Sequence, residues 1–427
     1  MPLPDRLEIK PLVRPPHAAV RVPGSKSITN RAMVLAALTG GCRLEGALES
    51  EDTEVMVHCL GKLGFQVAAD WRNEVVVVEK PAGAGRIPAK SAELYVANSG
   101  TTMRFVTAMV ALGEGRYRLD GVARMRERPI ADLLAALAEA GVAIRSEPNN
   151  GCPPVVVEAN GFRGGTIRVK GDVSSQFLSG LLMAAPFADA DVAIEVQGTL
   201  VSIPYVAMTT AMMGQFGLKV ETVGDYRAFR IPGRQQGGLR TYAIEPDASS
   251  SSYFFGAAAV TGGEIAVLGL TRDSMQGDVR FADVLGQMGC VVQHHADRIV
   301  VRGGTLRGID VDMNDISDTV MTLGAVACFA EGPTTIRNVG HIRHKETDRL
   351  TALATELRRV GAEVHLHDDG LTIVPQPLHG AEIETYKDHR MAMSLALVGL
   401  RTPGIAIHDP GCVGKTYPRF FEDLAKL

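Results

Sequence analysis

Leu63-Gly64-Phe65 ends an amphipathic run and opens an alternating apolar one, a change of period that reads as helix, glycine stop, strand. The same join recurs at Ala140-Gly141-Val142, Phe216-Gly217-Leu218, Met288-Gly289-Cys290 and Val360-Gly361-Ala362, with glycines 72 to 77 residues apart. A further period overshoots the carboxyl end, so a sixth helix, Phe420 to Leu427, lacks its strand unless Leu7-Glu8-Ile9-Lys10 supplies one. A polar, turn-forming cluster recurs on the same period, each time ahead of a new apolar helix. The clusters are Ser25-Lys26-Ser27, Asn98-Ser99-Gly100-Thr101, Ser174-Ser175-Gln176, Asp247-Ala248-Ser249-Ser250, Ser317-Asp318-Thr319 and Asp388-His389-Arg390.

The spacing predicts six α/β units of about 72 residues, each helix, strand, helix, strand, strand. In the first, Ser27 to Leu38 and Glu51 to Leu63 read as helices and Val75 to Val78 as a strand. Proline crossings at Val22-Pro23-Gly24 and Glu245-Pro246-Asp247 divide the units three and three. One lobe is then residues 24–244, and the other residues 1–23 with 245–427. Solenoid periods are usually ~20 to 50 residues, so closed lobes with a ligand cleft between them are expected.

The 427 residues are 46% apolar, ample for packed cores, and 44 Lys and Arg face 48 Asp and Glu. The net charge of −4 gives no global basic field for nucleic acid or an anionic membrane, so an anionic ligand needs locally clustered cations. Apolar stretches such as Val320 to Ala330 fall short of the roughly 18 residues that span a bilayer. Met1-Pro2-Leu3-Pro4-Asp5-Arg6 has no secretory pattern, and a cytoplasmic protein is expected. Cys42, Cys59, Cys152, Cys290, Cys328 and Cys412 form no Cys-x-x-Cys pair, which favours buried reduced thiols over a zinc site or disulfide framework.

Each polar cluster stands where a helix begins, an end that accepts either an N-cap or an anion. Capping does not call for the cations beside them: Lys26 and Arg31, Arg104 three residues after Thr101, and Arg390. Gly24-Ser25-Lys26-Ser27 is not a phosphate-binding P-loop, since Ser25 and Val20 stand where that motif needs glycine. No Gly-x-Gly-x-x-Gly follows a strand, which leaves a dinucleotide fold without support. Arg126-Glu127-Arg128-Pro129 and Gly414-Lys415-Thr416 read alone as solvated surface. Lys345-Glu346-Thr347-Asp348-Arg349 is more specific: helical spacing would put Lys345 and Arg349 on one face with Glu346 one step around, two anion clamps beside a proton carrier. Asp318 is either a cap or a second working carboxylate, and His365-Leu366-His367-Asp368-Asp369 reads as an exposed hairpin before it reads as a metal site.

These motifs, with Ser274-Met275-Gln276-Gly277-Asp278, resemble nearly end to end the EPSP synthases, enolpyruvyl transferases acting on 3-phosphoshikimate. The resemblance implies two lobes, each of three βαβαββ-type units, helices inward and sheets outward as an inside-out barrel or prism, helix N-termini facing the cleft. It implies a monomer whose partners are phosphoenolpyruvate and 3-phosphoshikimate, with no metal and no cofactor. Phosphoshikimate would be held by Lys26, Ser27, Arg31, Ser174, Ser175, Gln176, Ser202, Tyr205, Asp318 and Lys345. Phosphoenolpyruvate would be held by Lys26, Gly100, Arg128, Gln176, Arg349, Arg390 and Lys415. Asp318 would accept the hydroxyl proton, Glu346 would deliver and retrieve the methylene proton, and Lys26 would stabilise charge or itself protonate the enol carbon. Two positions depart from many relatives: Phe105 stands where Pro is common and His341 where a substrate-contacting Asn is common. Gly100 is unsubstituted, which implies an open glyphosate pocket.

A related enolpyruvyl transferase acting on UDP-N-acetylglucosamine would use a reactive cysteine on a mobile loop, and no cysteine here sits in such an Arg- or Gly-rich loop. A non-catalytic anion-binding scaffold would not need Asp318 and Glu346 beside the cations.

Overall fold

A computed structural model describes residues 3–427; Met1 and Pro2, part of the start read above as leaderless, lie outside the described residues. The five glycine joins are built as the sequence predicts. Gly64, Gly141, Gly217, Gly289 and Gly361 all take positive φ, between 78° and 111°, the left-handed turn that lets a helix stop and the chain reverse.

The chain forms two compact units, Gly24–Ile244 and a terminal unit made of the chain up to Pro23 with Glu245–Leu427. Among the described residues the strands form five four-stranded sheets and one three-stranded sheet. Each four-stranded sheet has one parallel pairing followed by two antiparallel ones. Ser91–Tyr95 runs parallel to Glu114–Asp120, which pairs antiparallel with Val155–Asn160, and that in turn with Ala143–Ser146. The fold is therefore mixed α/β. No described sheet closes on itself, since four strands leave two edges each, and the barrel-like closure expected above is not seen.

Two sheets are completed from far along the chain. Thr241–Ala243 lies parallel to Gly41–Glu45 in the Gly24–Ile244 unit. In the terminal unit Arg6–Glu8 pairs with Ala406–His408, the strand expected from Leu7 to Lys10, and His17–Val20 lies parallel to Glu264–Leu268. This last strand has no counterpart in the sequence reading, because four residues bounded by prolines show too little alternation.

The helix Ala248–Thr261 is buried on every face and forms the centre of the terminal unit. Gly256 lets its neighbours close in: a Cβ there would stand 2.8 Å from Leu397 and 3.0 Å from Thr322. The buried hydroxyls of Ser252 and Thr322 lie 3.0 Å apart, and those of Thr322 and Ser394 3.1 Å, tying this helix to Val320–Ala327 and His389–Gly399. Three of the polar clusters stand at the starts of these three helices, so the packing that fixes the helices also fixes the clusters.

Candidate active site

Five of the six clusters cap their helices through a side chain. Ser25, Ser99, Ser174, Asp247 and Asp388 each accept a backbone N–H from the first turn. The sixth does not, because the helix Val320–Ala327 starts from Thr319 with no side-chain cap. Asp318 is free of that duty, and its carboxylate is drawn into a group of cations. Oδ1 accepts from Lys345 Nζ at 2.5 Å and from Arg349 Nη1 at 3.1 Å, and Oδ2 accepts from Arg390 Nη2 at 2.7 Å. Burial works against the charge on Asp318, but Arg390, Lys345 and Arg349 outweigh it and hold the carboxyl well below the usual carboxylate range.

The helical face expected for Lys345 and Arg349 is not there. Asp348 caps the helix Arg349–Arg359, so the helix begins at Arg349 and residues 345–348 precede it. The two cations meet on Asp318 through the fold of the loop instead. Arg349 donates from Nη2 to Glu346 Oε2 at 2.8 Å and from Nε to Asp388 Oδ2 at 2.8 Å. Lys415 Nζ lies 3.8 Å from Glu346 Oε1. Lys345, Arg349, Arg390 and Lys415 thus face Asp318, Glu346 and Asp388, a cation excess in a buried place.

Burial opposes the charge of Arg349, yet Asp388, Glu346 and Asp318 raise its pKa. Lys345 is shifted down, by burial first, with Asp318 opposing. His341 is buried; desolvation, then Lys345, pushes it down to about 3, so the ring is neutral, and its Nε2 shares a 3.0 Å hydrogen bond with Ser317 Oγ. Asp278, from the Ser274 to Asp278 motif, accepts a short hydrogen bond from Ser249. Burial, then the nearby Asp318, pushes its carboxyl up to about 6.

In the Gly24–Ile244 unit Lys26 Nζ is 3.2 Å from Asp52 Oδ2, a carboxylate only 2% exposed. Arg31 donates to Ser27 O and Tyr205 O, which joins three of the residues singled out above. Arg128 donates to Asn98 O at 3.0 Å and is buried beside Gly100, whereas Arg126 pairs with Asp120 at the surface. The basic Arg126 to Pro129 motif is therefore half surface and half interior. Gln176 Nε2 reaches Thr101 Oγ1 at 3.4 Å, and Ser174 Oγ is engaged by Gln176 N. Ser175 is buried in the first turn of its helix, and Ser202 takes the left-handed conformation just before the helix Ile203–Gln215.

Sequence reasoning missed Asp52, Asp278 and Asp388 as partners of these groups. Asp52 carried a signal, since it follows Ser50 in a capping box that starts the helix Glu51–Lys62 and so had a fixed place. The cysteine expectation is met at four positions; Cys152 and Cys412 are only partly buried. Burial raises the pKa of all six thiols, which leaves none poised as a nucleophile. His365 to Asp369 joins the antiparallel strands Glu363–Leu366 and Leu371–Val374, and no cluster fit for a metal occurs among the described residues. No described helix is long and apolar enough to cross a membrane.

Residues 13–424 match the family model described as EPSP synthase (3-phosphoshikimate 1-carboxyvinyltransferase). The chain is 51% identical over 419 residues to the 3-phosphoshikimate 1-carboxyvinyltransferase of Nostoc punctiforme, covering 98% of each chain. It is 46% identical over 413 residues to that of Vibrio atlanticus, covering 96% of each. Among solved structures it is similar to the EPSP synthase of Acinetobacter baumannii, with TM-score 0.80, 26% identity, and 99% of this chain and 98% of that one covered. The enolpyruvyl transferase NikO from Streptomyces tendae shares the fold, with TM-score 0.78 at 21% identity, and 99% of this chain and 97% of that one covered.

Proposed function

The chain belongs to the EPSP synthase (3-phosphoshikimate 1-carboxyvinyltransferase) family, and from that premise we propose that it transfers the enolpyruvyl group of phosphoenolpyruvate to the 5-hydroxyl of 3-phosphoshikimate and releases phosphate. The reaction is a step of the shikimate pathway toward aromatic amino acids. The observation that carries the reading is Asp318, placed within 3.1 Å of Lys345, Arg349 and Arg390, with Glu346 joined to the same Arg349. A scaffold needs no second carboxylate within such a cluster. A transferase that must bring together two phosphates and two carboxylates, then move two protons, needs both the cations and the carboxylates.

The steps balance as an addition followed by an elimination. Glu346 gives a proton to the methylene carbon of phosphoenolpyruvate, and C2 becomes cation-like. The 5-hydroxyl oxygen bonds to C2 while Asp318 takes its proton. Glu346 then retrieves a proton from the methyl group, the C2–O bond to phosphate breaks, the double bond re-forms, and the proton on Asp318 leaves with the phosphate. Asp318 is a weak base while three cations hold it. Incoming phosphate and carboxylate groups compete for Arg349, Arg390 and Lys345, and each cation drawn away raises its basicity. Lys26, Gly100, Arg128, Gln176, Arg349, Arg390 and Lys415 would take phosphoenolpyruvate. Lys26, Ser27, Arg31, Ser174, Ser175, Gln176, Ser202, Tyr205, Asp318 and Lys345 would take phosphoshikimate.

Six copies of one βαβαββ unit, three in each compact unit, would account for the shared pairing order of the sheets. We further read the protein as cytoplasmic and acting on small-molecule substrates, and as a monomer, since the acid, the base and the cations beside them all come from one chain. Phosphate release tests the function: it is expected with phosphoenolpyruvate plus 3-phosphoshikimate and not with phosphoenolpyruvate plus UDP-N-acetylglucosamine. Release with the nucleotide sugar alone would change the acceptor, and release with neither would leave only a scaffold.

A further inference from the structure

Arg31 is 2% exposed, and no carboxylate among the described residues offsets its charge. A buried cation without a counter-ion is unfavourable unless other groups carry the charge. Nε donates to Thr209 Oγ1 at 2.7 Å, Nη1 to Ser27 O at 3.1 Å, and Nη2 to Ser179 Oγ at 3.2 Å and Tyr205 O at 3.3 Å. These acceptors are all neutral. The remaining support is aromatic: the guanidinium carbon lies 5.0 Å from the centre of the Phe105 ring and 6.0 Å from that of Tyr205. Phe105 is itself 1% exposed and sits in the helix Gly100–Val110, so its face cannot turn away without repacking that helix.

We propose that Phe105 is a positioning residue: its ring is a buried platform that fixes the Arg31 guanidinium for the anionic groups of the phosphorylated acceptor. The inference rests on the reading of Arg31 as an acceptor-binding residue. A guanidinium presents its N–H groups in its own plane and stacks through its faces, so an aromatic face beneath it orients the donors without competing for them. Burial, with Tyr205 opposing it, brings the Arg31 pKa down to about 10, far enough above neutrality to leave the cation intact. Ser179 and Thr209 fix the edge of the group while Phe105 fixes its tilt, and an anion then meets a group already ordered. An aliphatic residue here would supply no such face. In this chain the aromatic ring is therefore a local answer to a buried charge.

The test uses the full-length protein and calorimetric titration with 3-phosphoshikimate. Phe105→Leu keeps apolar volume and removes the π face; replacing Phe105 site-specifically by pentafluorophenylalanine keeps the ring and reverses its quadrupole. Both are expected to weaken acceptor binding about 3- to 30-fold, while KM for phosphoenolpyruvate stays within about twofold. Full affinity in the fluorinated protein would overturn the proposal, because the ring would then act by packing alone. Unchanged or tighter binding by a folded Phe105→Leu would do the same. Arg31→Lys separates the premise from the inference: if it binds the acceptor as well as the wild type, the assignment of Arg31 itself fails.

Discussion

Arg390 Nη2 stands 2.7 Å from Asp318 Oδ2, while the other oxygen of that carboxylate is taken by Lys345 and Arg349. Both oxygens of the proposed base are thus hydrogen-bonded to cations. The cluster binds its own carboxylate where it would bind a ligand's anion, and this stores binding groups in a folded, hydrogen-bonded form.

Asp318→Asn keeps the shape and removes the charge. Turnover is expected to fall about 10²- to 10⁴-fold, the range lost with a general base. Affinity for phosphoenolpyruvate should hold or tighten, because Arg349 and Arg390 lose a competitor. Stability should drop by about 3 kcal/mol, since the buried Arg349 and Arg390, with the half-buried Lys345, lose a shared partner. Single-turnover phosphate release, equilibrium binding and calorimetric unfolding separate the three effects, and a variant with wild-type turnover would end the base assignment.

Asp278 has the opposite sign of pH linkage. Its folded pKa is about 6, above an unfolded value near 3.9, so between those two values the folded state holds more protons and stability falls as pH rises. Above pH 6 the loss is complete, at roughly 3 kcal/mol from a shift of about two units. Asp318, with its depressed folded pKa, contributes stability present above about pH 4 and lost only below it, so it does not mask this window. Urea midpoints for Asp278→Asn relative to wild type should rise steadily from pH 4 to 6 and then level. A constant difference across that range would show that Asp278 titrates normally.

How much of this the sequence revealed follows the range of the forces involved. The glycine stops at Gly64, Gly141, Gly217, Gly289 and Gly361, and the caps at Ser25, Ser99, Ser174, Asp247 and Asp388, are decided within a few residues and were legible. The cation set was legible as residue types, but its geometry was not: Asp348 as a cap displaced the expected Lys345 to Arg349 helix. His17–Val20 is a strand only because Glu264–Leu268 pairs with it from about 250 residues away. Asp278 becomes a perturbed acid only through packing against Ser249 and Asp318, and Phe105 meets Arg31 only across two helices. Such pairings leave no local periodicity to read.

Asp52→Asn should separate placement of Lys26 from its charge. Asp52 lies in the first turn of the helix Glu51–Lys62, where the helix end and the Ser50–Thr53 capping box favour a fixed carboxylate. With the ion pair to Lys26 removed, the ammonium keeps its charge and loses this contact. We expect kcat to fall on the order of 10- to 100-fold and KM for phosphoenolpyruvate not to rise. Asp52→Glu should recover part of the rate. A rise in KM with kcat intact would mean that Lys26 only binds.

Gly100→Ala gives a sharper test of the phosphoenolpyruvate side. A Cβ at this position would stand 2.4 Å from Arg128 Nη2, 2.8 Å from Arg128 Cζ and 2.7 Å from Arg104 Nη1. Gly100 opens its helix in ordinary backbone geometry, so the added methyl strains no dihedral angle, and the atoms it meets are tips of flexible side chains. The protein should fold with a melting temperature within a few degrees of wild type. Arg128 must move, however, and its hydrogen bond to Asn98 O at 3.0 Å holds it from the other side. Displacing one charge-assisted contact should raise KM for phosphoenolpyruvate about tenfold. Phosphoshikimate, assigned to Arg31, Tyr205 and Lys345, should keep its KM within about twofold. Equal rises for both substrates would show that the methyl disturbs the helix start as a whole, and the assignment of Arg128 to phosphoenolpyruvate would fall.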